Sequence, residues 1–291
     1  MTMMDNRGNV VIEIAIVLIV ILMISGIVLN LSESITNKAV TSSETEHTEV
    51  LISEVIDNLI NNPGVPENWY EYKKGTPGLA IINEHEEIIP NSVSYEKFMV
   101  LGKNYKKLVQ EKLFNSKLKT SMELVPEKSS ISSVKIGEKN ENGNIFSVNR
   151  LVKCDFYKKF VLKDFKNEGK CNHNHKQSSH SCNYFKVFKG NLKKSNYYLI
   201  IDKEEKSNIQ YIVDTTRVVK SRFWENPSSN IINLNDKFDF YDDTSAVVFI
   251  HFDKPHAKAV LISVPKTFKI DNLNYDYFQT NDCNLILRAW Y

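Results

Sequence analysis

The chain has 291 residues, 42% of them hydrophobic and 25% charged, with 37 basic side chains against 35 acidic ones. A formal charge of +2 excludes the strongly basic balance of a dedicated nucleic-acid binder, so nucleic acid is not an expected partner. Abundant Phe, Tyr, Ile, Leu and Val exclude wholesale disorder, and ten Gly with eight Pro are too few for a low-complexity or collagen-like chain.

The first element is the most informative. Val10 to Leu29 reads VVIEIAIVLIVILMISGIVL, with Glu13 as its one charge. Twenty helical residues rise about 30 Å, the thickness of a bilayer's hydrocarbon core. A secretory leader would have a shorter apolar run followed by a small-x-small cleavage site, and Asn30-Leu31-Ser32-Glu33 supplies none. The segment is therefore expected to cross the membrane once, over residues 9–29. Residues 30–60 carry six acids and one base, Lys38, whereas Arg7 precedes the span. The positive-inside rule then places the N-terminus in the cytoplasm and the bulk of the chain outside the cell membrane.

Arg7-Gly8 sits directly before the apolar run, and Glu13 is the fifth residue after Gly8. This arrangement resembles the class III (prepilin-type) signal of archaeal type IV pilin-like proteins, with TadE-like pseudopilins as a close rival family. The resemblance implies that residues 1–8 are a leader removed by a prepilin-type peptidase. Arg7, Gly8 and Asn9 would form the processing site, and the hydrophobic helix would stay in the product. It also implies other pilin-like subunits as partners. A carboxylate at the centre of a spanning helix costs about 2.5–3.5 kcal/mol and ordinarily faces a partner. The new amine on Asn9 would be a suitable partner for Glu13, in the same helix or in a neighbouring subunit.

Residues 30–62 lack Pro and Gly until Pro63-Gly64, and Leu31, Ile35, Val50, Leu51, Val55, Ile56 and Leu59 fall partly at helical spacing. They predict a stalk helix that stops near Asn61-Asn62-Pro63-Gly64. The following PGVPENW (63–69) and GTPGLA (75–80) are similar to a segment found after the stalk helix of archaeal pilin-like proteins. Residues 63–118 are read as a connector holding a second helix over about 92–114. Phe98, Leu101, Tyr105, Leu108, Val109 and Leu113 form its apolar face, and Lys fills much of the other.

From 119 the pattern changes to strands: 121–125, 132–136, 144–152, 197–201, 210–213, 246–252, 259–264 and 284–291, with 141–144 (ENGN) as a hairpin turn. Residues 119–291 are thus a β-rich head, mostly antiparallel, and the chain as a whole is α+β.

Two groups of side chains in the head have chemical potential. Cys171 and Cys182 bracket His173, His175 and His180. They suit either a disulfide closing an external loop or a zinc-type site built from the two thiolates and the imidazoles. One set of thiols cannot do both, and a loop with neither remains open. Residues 150–194 hold twelve basic side chains against three acidic ones, interleaved with Phe156, Tyr157, Phe160, Phe165, Tyr184, Phe185 and Phe188. These read as a solvated Lys-rich loop whose aromatics belong to flanking strands. Gly-x-Ser-x-Gly, His-Glu-x-x-His, a phosphate-cradling loop and a dinucleotide fingerprint are all absent from the sequence. The sequence therefore leads to a non-enzymatic, membrane-anchored, pilin-like surface protein, an accessory subunit or adhesin for an unidentified surface ligand, needing no cofactor. The alternative is an external enzyme or metal-binding receptor that uses the Cys171–Cys182 segment.

Overall fold

The computed structural model describes residues 7–139, 143–169, 180–215 and 224–291, leaving aside the side chains of 7–13 and 35–44. The chain is α+β, with two compact units, Met1–Glu54 and Val55–Tyr291.

One helix, α1 (Arg7–Asn61), runs unbroken through the apolar segment and the Thr/Ser/Glu-rich stretch that follows. It stops where Pro63 and Gly64 were expected to stop it. Its apolar part, Ile14–Ser34, is long and apolar enough to cross a membrane, and every side chain in it is exposed.

The second unit starts with the last two turns of α1. Ile56, Leu59 and Ile60 are buried there. A helix end leaves carbonyls without partners. Here Leu79 N–H donates to Leu59 O at 2.7 Å and Ala80 N–H to Asn62 O at 3.1 Å. The intervening chain folds into a clasp. Val65 and Thr76 exchange backbone hydrogen bonds of 3.0 and 2.8 Å, and the short helix α2 (Trp69–Tyr72) places Trp69 in the core. The indole N–H of Trp69 donates to Gly78 O and Pro63 O. Gly64 has φ +94°, and a Cβ there would stand 2.1 Å from Trp69 Cδ1. Only glycine tolerates both conditions.

The clasp delivers the chain into β1 (Ala80–Ile82), β2 (Ile88–Val93) and helix α3 (Tyr95–Lys103). The expected helix over 92–114 is corrected in two ways. Ser92 and Val93 belong to β2, paired in parallel with Lys153 and Cys154, and a separate π-helical turn, Lys106–Glu111, follows the end of α3. Tyr95 N–H at the start of α3 donates to Asp155 Oδ1 at 2.8 Å. Nor is every lysine of this helix on the wet face. Lys97 is buried, and its ammonium donates to Pro63 O at 2.9 Å and Ala80 O at 3.0 Å.

Among the described residues the remaining strands are β3 (Lys119–Pro126), β4 (Val134–Gly137), β5 (Phe146–Cys154), β6 (Val161–Asp164), β7 (Ser181–Phe188), β8 (Ser195–Ile201), β9 (Tyr211–Thr215), β10 (Ile231–Asn233), β11 (Ser245–Phe252), β12 (Ala259–Pro265) and β13 (Asn281–Trp290). They form three sheets, ordered β1-β2-β5-β13-β3-β4, β10-β8-β12-β6 and β7-β11-β9. The expected hairpin between β4 and β5 is not formed. β13 lies between β3 and β5, so β4 pairs with β3 and β5 pairs with β13. Residues 140–142, which include part of the expected turn, lie outside the described residues.

The four- and three-stranded sheets share one core, with Leu199, Ile201, Ala259 and Leu261 from one and Val187, Val248, Ile250 and Phe252 from the other. The other face of the four-stranded sheet is also buried, through Ile200, Val260, Ile262 and Val264. Nearby, Tyr157, Phe160, Phe268, Tyr277 and Phe278 form an aromatic cluster, and Phe156 joins it to Tyr95 at the start of α3.

The clasp gives the first prediction. Gly64→Ala must accept a positive φ and displace the Trp69 indole, and should destabilise the second unit by roughly 2–4 kcal/mol. Thermal unfolding of the full chain followed by tryptophan fluorescence measures it. An unchanged midpoint would mean that the clasp yields freely.

Candidate functional site

The residues implicated in processing and assembly lie on α1. Arg7, Gly8, Asn9 and Glu13 are all helical along the backbone, and their side chains lie outside the described residues. From Ile14 onward the side chains are described. Exposure of the large apolar residues between Ile14 and Leu31 runs from 46% at Val20 to 70% at Leu29. No polar stripe marks a wet side. Each such side chain left in water forgoes about 1.5–3 kcal/mol relative to burial, so the segment would gain from an apolar environment around its whole circumference.

Past the Thr/Ser stretch, α1 meets the six-stranded sheet through an ion pair within the second unit. The Arg150 guanidinium on β5 donates to both carboxylate oxygens of Asp57 on α1, at 2.7 and 2.9 Å. This bidentate geometry holds the Asp57 carboxyl below its ordinary range, first through the hydrogen bonds and then through the charge of Arg150. Asp155 moves the other way: burial raises its carboxyl, and the Tyr95 N–H offsets part of that.

The cysteines separate into two groups. Cys171, His173 and His175 lie outside the described residues, and so do the disulfide to Cys182 and the zinc alternative that need them. His180 donates its N–H to Phe252 O at 3.0 Å, and Cys182, the second residue of β7, donates its N–H to Gly169 O. The register sets Cys182 directly opposite His251 of β11. His251 is buried, and its Nε2 lies 3.8 Å from Asp214 Oδ2. No group of three His, Cys, Asp or Glu among the described residues is arranged to hold a metal.

The other group is one that sequence reasoning missed. Cys154 at the end of β5 and Cys283 near the start of β13 lie on one face of adjacent strands, offset by two residues in register. Both are fully buried. Burial raises the Cys154 thiol well above its usual range, and a hydrogen bond with Cys283 adds to the shift. Such thiols are inert. Only the antiparallel register of two strands far apart in sequence could have revealed the pair.

The Lys-rich, aromatic stretch also divides. Phe156, Phe165 and Phe185 are core residues, as the sequence suggested for the aromatics of flanking strands. Tyr184 and Phe188 stand at the surface, 57% and 46% exposed, with Lys163 over the Tyr184 ring and Lys186 over the Phe188 ring.

No protein-family model, no curated protein and no solved structure matches the chain.

Two outcomes are expected from these geometries. Asp57 has a lowered pKa, so the stabilisation from its pair with Arg150 is present above about pH 4 and is lost as the pH falls through that lowered value. Both side chains are between a third and a half exposed, which limits the pair to about 1 kcal/mol or less. Urea unfolding between pH 3 and 7 should show Asp57→Asn reducing stability at pH 7, with the gap to the parent chain narrowing as the pH falls. Separately, Cys154 and Cys283 should resist iodoacetamide in the native chain and react only after unfolding in denaturant and reductant. Rapid native labelling of either would contradict their burial.

Proposed function

We propose that the chain is a membrane-anchored, pilin-like surface subunit without enzymatic activity, held by its N-terminal helix with the β-rich unit outside the cell. The observation that carries this reading is α1 itself, unbroken from Arg7 to Asn61 and exposed on all sides over Ile14–Ser34. An apolar helix of 21 residues spans about 31 Å, enough to cross a bilayer. It would serve equally in a filament core made from copies of itself. Arg7, directly before the span, supports a cytoplasmic N-terminus.

In this reading a prepilin-type peptidase cuts between Gly8 and Asn9, and the Asn9 amine neutralises Glu13 within the helix or across to a neighbour. The clasp at 63–80 supports an accessory rather than a purely structural role. It ends the helix abruptly and starts a large head whose surface is free to meet a ligand. The runner-up, an external enzyme or metal-binding receptor, draws on the Cys182, His251 and Asp214 neighbourhood. It requires ligands or nucleophile partners from the Cys171–Cys182 segment, and metal analysis of the purified chain decides it. Stoichiometric zinc with reduced thiols would favour the receptor.

Processing gives the decisive test. In cells bearing the peptidase the mature N-terminus should be Asn9, and Gly8→Val should leave the leader attached. Glu13→Val should insert into membranes at least as well as the parent, because it removes the charge in the span, yet fail to join filaments or complexes. Intact Met1 in the parent protein, or normal assembly of Glu13→Val, would remove the pilin-like reading.

A further inference from the structure

Three side chains that together can activate a thiol stand on one face of the three-stranded sheet, each on a different strand. Strand alternation sends Phe185 and Val187 of β7, Val248 and Ile250 of β11, and Tyr211 and Val213 of β9 into the shared core. It therefore turns Cys182, His251 and Asp214 to the opposite face. Cys182 is directly opposite His251 in the β7–β11 register, which sets their Cβ atoms about 4.5–5.5 Å apart. On the β9 side, His251 Nε2 lies 3.8 Å from Asp214 Oδ2. The Phe249 ring, two residues back on β11, lies parallel to the imidazole within 3° at 6.3 Å and restricts its rotation. The order across the sheet is thiol, imidazole, carboxylate.

That order suits a nucleophilic cysteine, with a base beside the thiol and a carboxylate that steadies the imidazolium. The His251 side chain is 2% exposed and that of Asp214 21%, so their attraction is little screened. Cys182 is half-buried on an edge strand, carries a thiol and can be reached from outside. Cys154 and Cys283 differ on both counts, being fully buried with Asn281 and Val152 opposite them.

The backbone around Cys182 narrows the reaction. Acyl transfer develops an oxyanion, which needs N–H donors aimed at it. The Cys182 N–H is committed to Gly169 O at 3.1 Å, the His180 N–H to Phe252 O and the Tyr184 N–H to Asn183 Oδ1 at 2.7 Å. Thiol–disulfide exchange develops no oxyanion and asks only for a thiolate and an open approach to it.

We propose that Cys182 is a covalent modification site that captures low-molecular-weight disulfides, with His251 as its base and Asp214 as the positioning carboxylate. His251 takes the Cys182 proton, and the Sγ thiolate attacks one sulfur of the incoming disulfide. A new S–S bond forms as the old one breaks, and the leaving thiolate takes the proton back from the His251 imidazolium. One thiol and one disulfide enter, one mixed disulfide and one thiol leave, and no further oxidant is consumed. The modification is stoichiometric rather than a turnover, and it is independent of the surface-subunit reading.

The test uses the full chain, reduced and then freed of reductant, in a Cys171→Ser background so that Cys171 cannot displace the adduct. The probe is 2-hydroxyethyl disulfide, small and uncharged, and mass spectrometry of the Cys182 peptide follows the adduct with time at pH 7. An unassisted thiol is only a few per cent thiolate at that pH, so native Cys182 should react about tenfold faster than the same residue in the urea-unfolded chain. Cys154 and Cys283, read in the same digest, should stay unmodified in the native chain. Asp214→Asn should slow the native reaction severalfold at an unchanged unfolding midpoint, and Asp214→Glu should restore it in part. His251→Gln should bring it down to the unfolded rate. Native Cys182 reacting no faster than the unfolded residue would overturn the proposal, and that comparison needs no variant to fold. Undiminished reaction in a folded His251→Gln chain would overturn it as well.

Discussion

The organisation of the second unit depends on how α1 is allowed to end. A helix leaves its last carbonyls unbonded, and burying them without donors costs about 1–3 kcal/mol each. Here two of those carbonyls, on Leu59 and Asn62, accept the N–H groups of Leu79 and Ala80. The same two amides belong to the chain entering β1, so one pair of hydrogen bonds both caps the helix and positions the sheet. Pro63 O, exposed by the turn, is taken up by the Trp69 indole and the Lys97 ammonium. Helix, clasp, sheet and α3 are therefore one hydrogen-bonded unit, which explains the lysine buried in its centre.

The second constraint is the position of β13. By lying between β3 and β5 it joins residues more than a hundred positions apart and makes the six-stranded sheet non-local. That placement aligns Cys154 with Cys283, brings Arg288 to Glu123 at 2.8 Å, and brings the residues before β13 beside those after β3. The other two sheets close over a core of their own and leave only Tyr184 and Phe188 of the Lys-rich stretch's aromatics strongly exposed.

These two constraints separate the roles of the parts. The apolar helix is long and apolar enough to cross a membrane. The β-rich unit buries a core of its own.

The sequence by itself determined the long apolar helix, its end at Pro63-Gly64 and most central strands. These are local properties: an apolar run, a missing amide with a positive φ, and alternation of β-branched and aromatic residues. Tertiary structure alone decided the pairing of β13, which cancelled the hairpin expected around 141–144. It likewise gave Ser92 and Val93 to a strand, through the partner offered by β5. Lys97 read as a surface lysine because its pattern was helical and its carbonyl partners are 17 and 34 residues away. Cys154 with Cys283 and Asp57 with Arg150 were invisible for the same reason. A side chain's partner across a sheet is fixed by register, and register is fixed by how the whole chain packs rather than by the residues beside it.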